Sequence, residues 1–256
     1  MLHFTKQLWT KTKTFTKWKD LFLDVLVSIF FFLSAMVFTH YLPMRDRYVD
    51  FSVGSYLSKT PSDEPGWVMT IFVWIIPVLY ISLIHGIYVR SAGKTILTLV
   101  SWLNAISLAV FFMSIVRYFL PTPRPYFFDV CKPRQTRGFF IKDDICTKII
   151  ERRDMQSFPS GHTTIIWTSW LFVVFALSSS IGAFHRSGNF WKLFFVVALP
   201  LSFPLWMSCE RIASGNHSEY DVSGGFFIGL ISVTVVFLNM DKERLFVKHN
   251  VESENV

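Results

Sequence analysis

The chain has 256 residues, 52% of them hydrophobic and 18% aromatic, and a formal net charge of +7. A mean hydropathy of +0.40 is too high for an ordinary water-soluble domain, and three cysteines are too few for a disulfide framework. The basic balance does not point to nucleic acid, because lysines crowd near the N-terminus beside apolar runs of about 20 residues, the length that crosses a bilayer. An all-α, polytopic membrane protein is therefore expected, since in lipid the backbone must satisfy its own polar groups.

Residues 1–20 are polar and basic, with Lys6, Lys11, Lys13, Lys17 and Lys19 around Trp9 and Trp18. They read as a cytosolic tail under the positive-inside rule, and the apolar run that follows lacks a signal-peptide cleavage pattern. Six spans are predicted, at residues 21–40, 67–89, 95–120, 161–184, 190–208 and 220–240, forming one domain over 21–240. Pro77 is placed to kink the second span, and Pro200 and Pro204 to bend the fifth. Gly225 and Gly229 give the sixth a small-xxx-small spacing suited to close helix contact. The segment 121–160 is too polar to cross and too long for a simple connector. Residues 241–256 read as a second polar cytosolic tail. Six spans put both tails on one side. The basic residues divide almost evenly between the two sides, so the Lys-rich first tail sets the orientation, and segment 121–160 falls on the lumenal or extracellular face.

Three pieces gather at that face. The first is 117–125, Arg-Tyr-Phe-Leu-Pro-Thr-Pro-Arg-Pro. Arg117 closes the third span, where snorkelling to the interface is the bland alternative. Pro121 and Pro123 end the helix, and prolines on either side of Arg124 hold its backbone. The second is Phe158-Pro-Ser-Gly-His162 at the start of the fourth span. There the Ser160 hydroxyl and the Gly161 backbone would meet an anion at the positive end of a helix, with His162 placed to give a proton to a leaving oxygen. The third is 210–221, in which Arg211 is followed by His217 and then Asp221. If a helix begins near Asn216, His217 and Asp221 lie one turn apart, so the carboxylate orients an imidazole whose other nitrogen is free to attack.

These pieces resemble the three signature motifs of the type 2 phosphatidic acid phosphatase (PAP2) superfamily, Lys-x6-Arg-Pro, Pro-Ser-Gly-His and Ser-Arg-x5-His-x3-Asp. The continuation Tyr126-Phe-Phe-Asp-Val-Cys131 is similar to the lipid phosphate phosphatase branch. The likeness covers roughly residues 20–240. Arg117 stands where the family usually has Lys, and Glu210 where it has Ser. The resemblance implies a six-helix bundle and metal-independent hydrolysis of phosphomonoesters, with no cofactor. His217 would be the nucleophile oriented by Asp221, and His162 the acid. Arg117, Arg124, Ser160, Gly161 and Arg211 would hold the phosphate.

The substrate class implied is a lipid phosphate: phosphatidate, lysophosphatidate, sphingoid-base phosphates or diacylglycerol pyrophosphate. A polyprenyl- or dolichyl-pyrophosphate phosphatase and a sphingolipid phosphotransferase share the fold, and an inactive interaction protein is the non-enzyme alternative. The membrane would be endoplasmic reticulum, Golgi or plasma membrane. Two further expectations concern the non-cytosolic side. Asn216-His-Ser218 is a formal glycosylation sequon, expected to be unmodified beside His217. Cys131 and Cys146 lie in one loop in an oxidising compartment, where a disulfide or two free thiols are both open, and Cys209 is expected to stay free.

Overall fold

Apolar runs long enough to span lipid fold as helices, since a helix pairs its own N–H and C=O groups. The computed structural model describes residues 2–43, 45–46, 48–49, 66–132, 134, 139–140, 146–148, 151–181 and 190–240. Among these, six helices are long and apolar enough to cross a membrane: Lys19–Tyr41, Trp67–Val89, Ala92–Phe119, Gly161–Ser180, Phe194–Ala213 and Glu219–Asn239. The first helix begins at Leu2 and runs to Met36, so residues expected to form a separate basic tail are continuous with the first span. Lysine is a good helix former and does not break the chain. The fifth span also runs further than expected, to Ala213, which puts Arg211 in its last turn. Residues 241–256 lie outside the described residues.

The fourth span is the axis of the bundle. Its most apolar window is 78% buried, against 11% for the first span. It packs on the second, third, fifth and sixth spans, while the first leans on the third. Large apolar side chains such as Phe22, Phe30, Leu79, Leu83 and Phe227 are exposed on the outer faces, where lipid would cover them.

A central helix rich in Ser and Thr carries its hydroxyls inside the protein, where most find carbonyl or side-chain partners. Thr164 donates to the Ser160 carbonyl at 2.8 Å and Thr168 to that of Thr164 at 2.6 Å. Ser169 donates to the Val73 carbonyl at 3.1 Å and accepts from Trp102 Nε1 at 3.0 Å. The Val73 carbonyl is available because Pro77, four residues on, has no N–H to offer it. The second span meets that proline through a widened turn at Ile71–Ile75. Trp170 Nε1 uses the neighbouring Phe72 carbonyl at 3.0 Å.

The sixth span lies against the fourth through its glycines. A Cβ on Gly225 would stand 2.9 Å from the Ser160 carbonyl oxygen and 3.0 Å from the Thr164 nitrogen; one on Gly229 would stand 3.0 Å from Thr168 Oγ1. These contacts bring two backbones together next to the start of the fourth span.

The segment between the third and fourth spans is built from short pieces: a helix at Phe127–Cys131 and a 3-10 turn at Arg152–Met155. Tyr48–Val49 and Phe139–Phe140 form a two-residue antiparallel pair, a small departure from an all-α chain. Tyr126, Phe127 and Phe128 of this segment are buried. Cys131 and Cys146 form a disulfide with their Cα atoms 4.7 Å apart, and Cys209 is free and exposed. Arg152 reaches across to the end of the first span, donating to the carbonyls of Leu42 at 2.7 Å and Phe38 at 3.3 Å. Helix ends leave such carbonyls without partners, and a guanidinium suits them.

Candidate active site

Prolines shape the first wall of the site. Pro121 and Pro123 stop the third span, and the freed chain runs beside residues 153–157. Thr122 N–H donates to the Met155 carbonyl, Arg124 N–H to that of Asp154 and Ser157 N–H to that of Thr122, each at 2.9 Å. Arg124 is thereby fixed next to the strand-like chain that leads into the fourth span. Its Nε donates to the Arg153 carbonyl at 3.0 Å, and its Nη1 makes a long contact of 3.5 Å with Asn216 Oδ1.

Arg117 turns into the protein rather than out to the interface. Its Nε and Nη2 both donate to the Pro159 carbonyl, at 3.0 and 2.8 Å. The Phe158–Pro159 peptide bond is cis. Gly161 lies directly beneath the guanidinium, where a Cβ would meet Arg117 Nη2 at 2.9 Å. Ser160 is fully buried, and its hydroxyl accepts from Thr163 Oγ1 at 3.0 Å as the helix starts. Its N–H donates to the Asp221 carbonyl at 2.9 Å, which joins the second and third pieces of sequence.

The third piece folds differently from the expectation. The sixth helix starts at Glu219 with Ser218 as its N-cap, so His217 precedes the helix and is not a turn below Asp221 on it. Ser218 and Asp221 form a capping box, with the Ser218 N–H donating to Asp221 Oδ2 at 2.7 Å, and this reciprocal pairing sets the start. His217 lies after a turn in which Gly215 has a φ of 69°, a conformation that favours glycine. The His217 N–H is anchored on the Arg211 carbonyl at 3.1 Å. Its Nδ1 is 3.8 Å from Asp221 Oδ2, an electrostatic contact longer than a hydrogen bond.

Ser157 occupies the space beside that contact. Its Oγ donates to Asp221 Oδ2 at 2.7 Å and stands 3.5 Å from His217 Nδ1. The sequence reading missed Ser157, although it lies three residues before Ser160. Asn216 was read there only as a sequon. It is buried, and its Nδ2 donates to Ser214 Oγ at 2.9 Å.

The charges then converge. Arg211 is 3% exposed; its Nε pairs with the Glu210 carboxylate, and its Nη2 is buried with no hydrogen-bond partner among the described residues. A buried, unpaired guanidinium N–H is costly and points to an acceptor that arrives from outside. Arg117, Arg124, Arg211 and His217 all lie within electrostatic reach of His162. Three guanidiniums face two carboxylates, so the centre favours an anion. Burial, first, pushes the His217 imidazole down to about 4; Asp221 pulls it up, and Arg124 pushes it down further. His217 is therefore neutral near pH 7, with a lone pair to use.

A cavity of about 320 Å³ opens beside Arg117, Arg124 and His162 of this centre, while His217 and Arg211 are not in its lining. Arg117, Arg124, Gly161 and His162 line one part, and Met69, Thr70, Val73, Trp74, Met113 and Ile165 line the rest. Among the described residues, no group of three or more His, Cys, Asp or Glu side chains comes together as a metal ligand set.

Fold and centre define a polytopic helical membrane protein with an arginine-rich buried centre where four spans meet. Residues 98–245, more than half of the chain, match the PAP2 superfamily profile, and the protein belongs to that superfamily. Among curated proteins it is 33% identical to the probable lipid phosphate phosphatase 4 of Arabidopsis thaliana, over 46% of this chain and 39% of that protein. It is 35% identical to lipid phosphate phosphatase 2 of the same plant, over 45% of this chain and 41% of the relative. It is 25% identical to the probable diacylglycerol pyrophosphate phosphatase 1 of Schizosaccharomyces pombe, over 49% of this chain and 47% of that protein. The matched region thus spans less than half the length of each of these relatives. No solved structure matches the chain.

Proposed function

We propose that the protein is a metal-independent lipid phosphate phosphatase working through a phosphohistidine. The observation that carries this reading is the two-part cavity, with arginines and His162 at one end and an apolar wall from the second, third and fourth spans at the other. A phosphate headgroup suits the first part and an acyl or sphingoid chain the second.

His217 Nε2 attacks phosphorus, and the bond to the lipid oxygen breaks as the nitrogen–phosphorus bond forms. His162 gives a proton to the departing alkoxide, which leaves as a neutral alcohol. A water molecule then gives a proton back to His162 and attacks phosphorus, releasing inorganic phosphate and restoring His217. Arg117, Arg124 and Arg211 bind the non-bridging oxygens and spread the charge of the transition state, the role a metal takes in other phosphatases. Substrates are phosphomonoesters or pyrophosphates of membrane lipids: phosphatidate, lysophosphatidate, sphingoid-base phosphates and diacylglycerol pyrophosphate. The site opens on the lumenal or extracellular face.

Phosphate release from these lipids in detergent micelles tests the proposal. His217→Ala should lower turnover by about a thousandfold or more, as loss of a catalytic nucleophile does elsewhere, while the protein still folds. EDTA should leave the wild type unaffected. Activity of His217→Ala within a few-fold of wild type, or a wild type that needs added magnesium, refutes it.

A further inference from the structure

Ser157 is 1% exposed, and its hydroxyl has one proton to give. It spends that proton on Asp221 Oδ2, at 2.7 Å. Toward His217 Nδ1, 3.5 Å away, the same oxygen can then offer only a lone pair. The other group facing Nδ1, Asp221 at 3.8 Å, is also an acceptor. Both neighbours of Nδ1 therefore ask for a proton on it. The Ser157 backbone is held as well, since its N–H is tied to the Thr122 carbonyl on the segment that carries Arg124.

We propose that Ser157 is a positioning residue: its hydroxyl, oriented by Asp221, keeps the His217 proton on Nδ1 and so leaves Nε2 bare for attack. The proposal rests on the reading of His217 as nucleophile and adds a link between His217 and Asp221 that the His-x3-Asp spacing does not contain. It also gives the segment before Pro159 a part in the reaction beyond starting a helix. Ser157 itself never touches the substrate.

Two readouts test it on the full chain in detergent micelles. In protein labelled with nitrogen-15 histidine, ring-nitrogen shifts report the tautomer of His217, whose signals are assigned with His217→Gln. The wild type should show a protonated Nδ1 and a bare Nε2. Ser157→Ala should populate the other tautomer and lower kcat about tenfold to a hundredfold, the scale of one lost hydrogen bond to a charged group, with KM unchanged. Ser157→Thr, which keeps the hydroxyl, should restore both. A purely structural role would lower the thermal midpoint and leave the tautomer alone. The proposal is overturned if Ser157→Ala keeps the wild-type tautomer, or if the wild type carries its proton on Nε2. The second outcome is read without any variant, so a misfolded Ser157→Ala does not shield the idea. If the wild type hydrolyses no lipid phosphate, the proposed function fails, and the spectra alone decide the role of Ser157.

Discussion

His217 is buried, and its working range follows from that. With burial holding the imidazole down to about 4, against about 6.5 for an ordinary histidine, His217 stays neutral through mild acid. If His217 is the nucleophile as proposed, a pH profile of kcat/KM should place its acid limb near pH 4, and an acid limb near 6.5 would contradict this. The stability sign follows from the same shift. Between about 6.5 and 4 the unfolded chain takes up a proton that the folded one refuses, so this group's penalty is absent at neutral pH and grows as pH falls through that window. The charged residues of the site were legible in the sequence because Arg, His and Asp near apolar runs have few bland explanations. Ser157 and Asn216 were not, because a lone Ser or Asn becomes informative only once its partners are known. Asn216 also explains its own sequon. It is 3% exposed and packed between Ser214 and Arg124, so glycosidase treatment of active protein should produce no mass change at this position.

At the scale of elements, two glycines one helix apart make opposite predictions. Gly161→Ala would push its methyl against the Arg117 guanidinium, the end of a long side chain that can move. That variant should fold and lose phosphate affinity, with KM raised about tenfold, the scale of a misplaced charged hydrogen bond. Gly225→Ala meets the backbone of Ser160 and Thr164 instead, at 2.9 and 3.0 Å. That variant should separate the fourth and sixth spans and lose about 1–3 kcal/mol of stability as an overpacked contact does, visible as a lower thermal midpoint in detergent. Equal thermal midpoints for the two variants would count against this assignment. The small-xxx-small spacing was visible in the sequence, yet its partner helix was not. The start of the sixth helix was misread for a local reason. His217 and Asp221 have helical spacing, but Ser218 caps the helix after the histidine and leaves it in the turn. The widened turns at Val37–Tyr41 and Ile71–Ile75 carry no pattern that hydropathy can detect.

For the whole molecule, the six spans could be placed because lipid imposes length and apolarity on each. What joins them could not: the pairing of 122–124 with 154–157 and the grip of Arg152 on the first span link residues far apart in sequence. The Cys131–Cys146 bond belongs to this scale too, since it closes the loop that carries the chain on from Arg124. Thiol labelling of unreduced, denatured protein should find one reactive cysteine, Cys209; three would place the loop in a reducing compartment. The direct link from Ser160 to Asp221 has a consequence for how the protein is made. A ribosome delivers Arg117, Arg124 and His162 long before His217, and the helix that seats Asp221 follows the other five described spans. Under the proposed function, a nascent chain that has not yet reached this helix could hold a phosphate headgroup but would have no oriented nucleophile to cleave it, so synthesis itself would hold the reaction back until the bundle is closed.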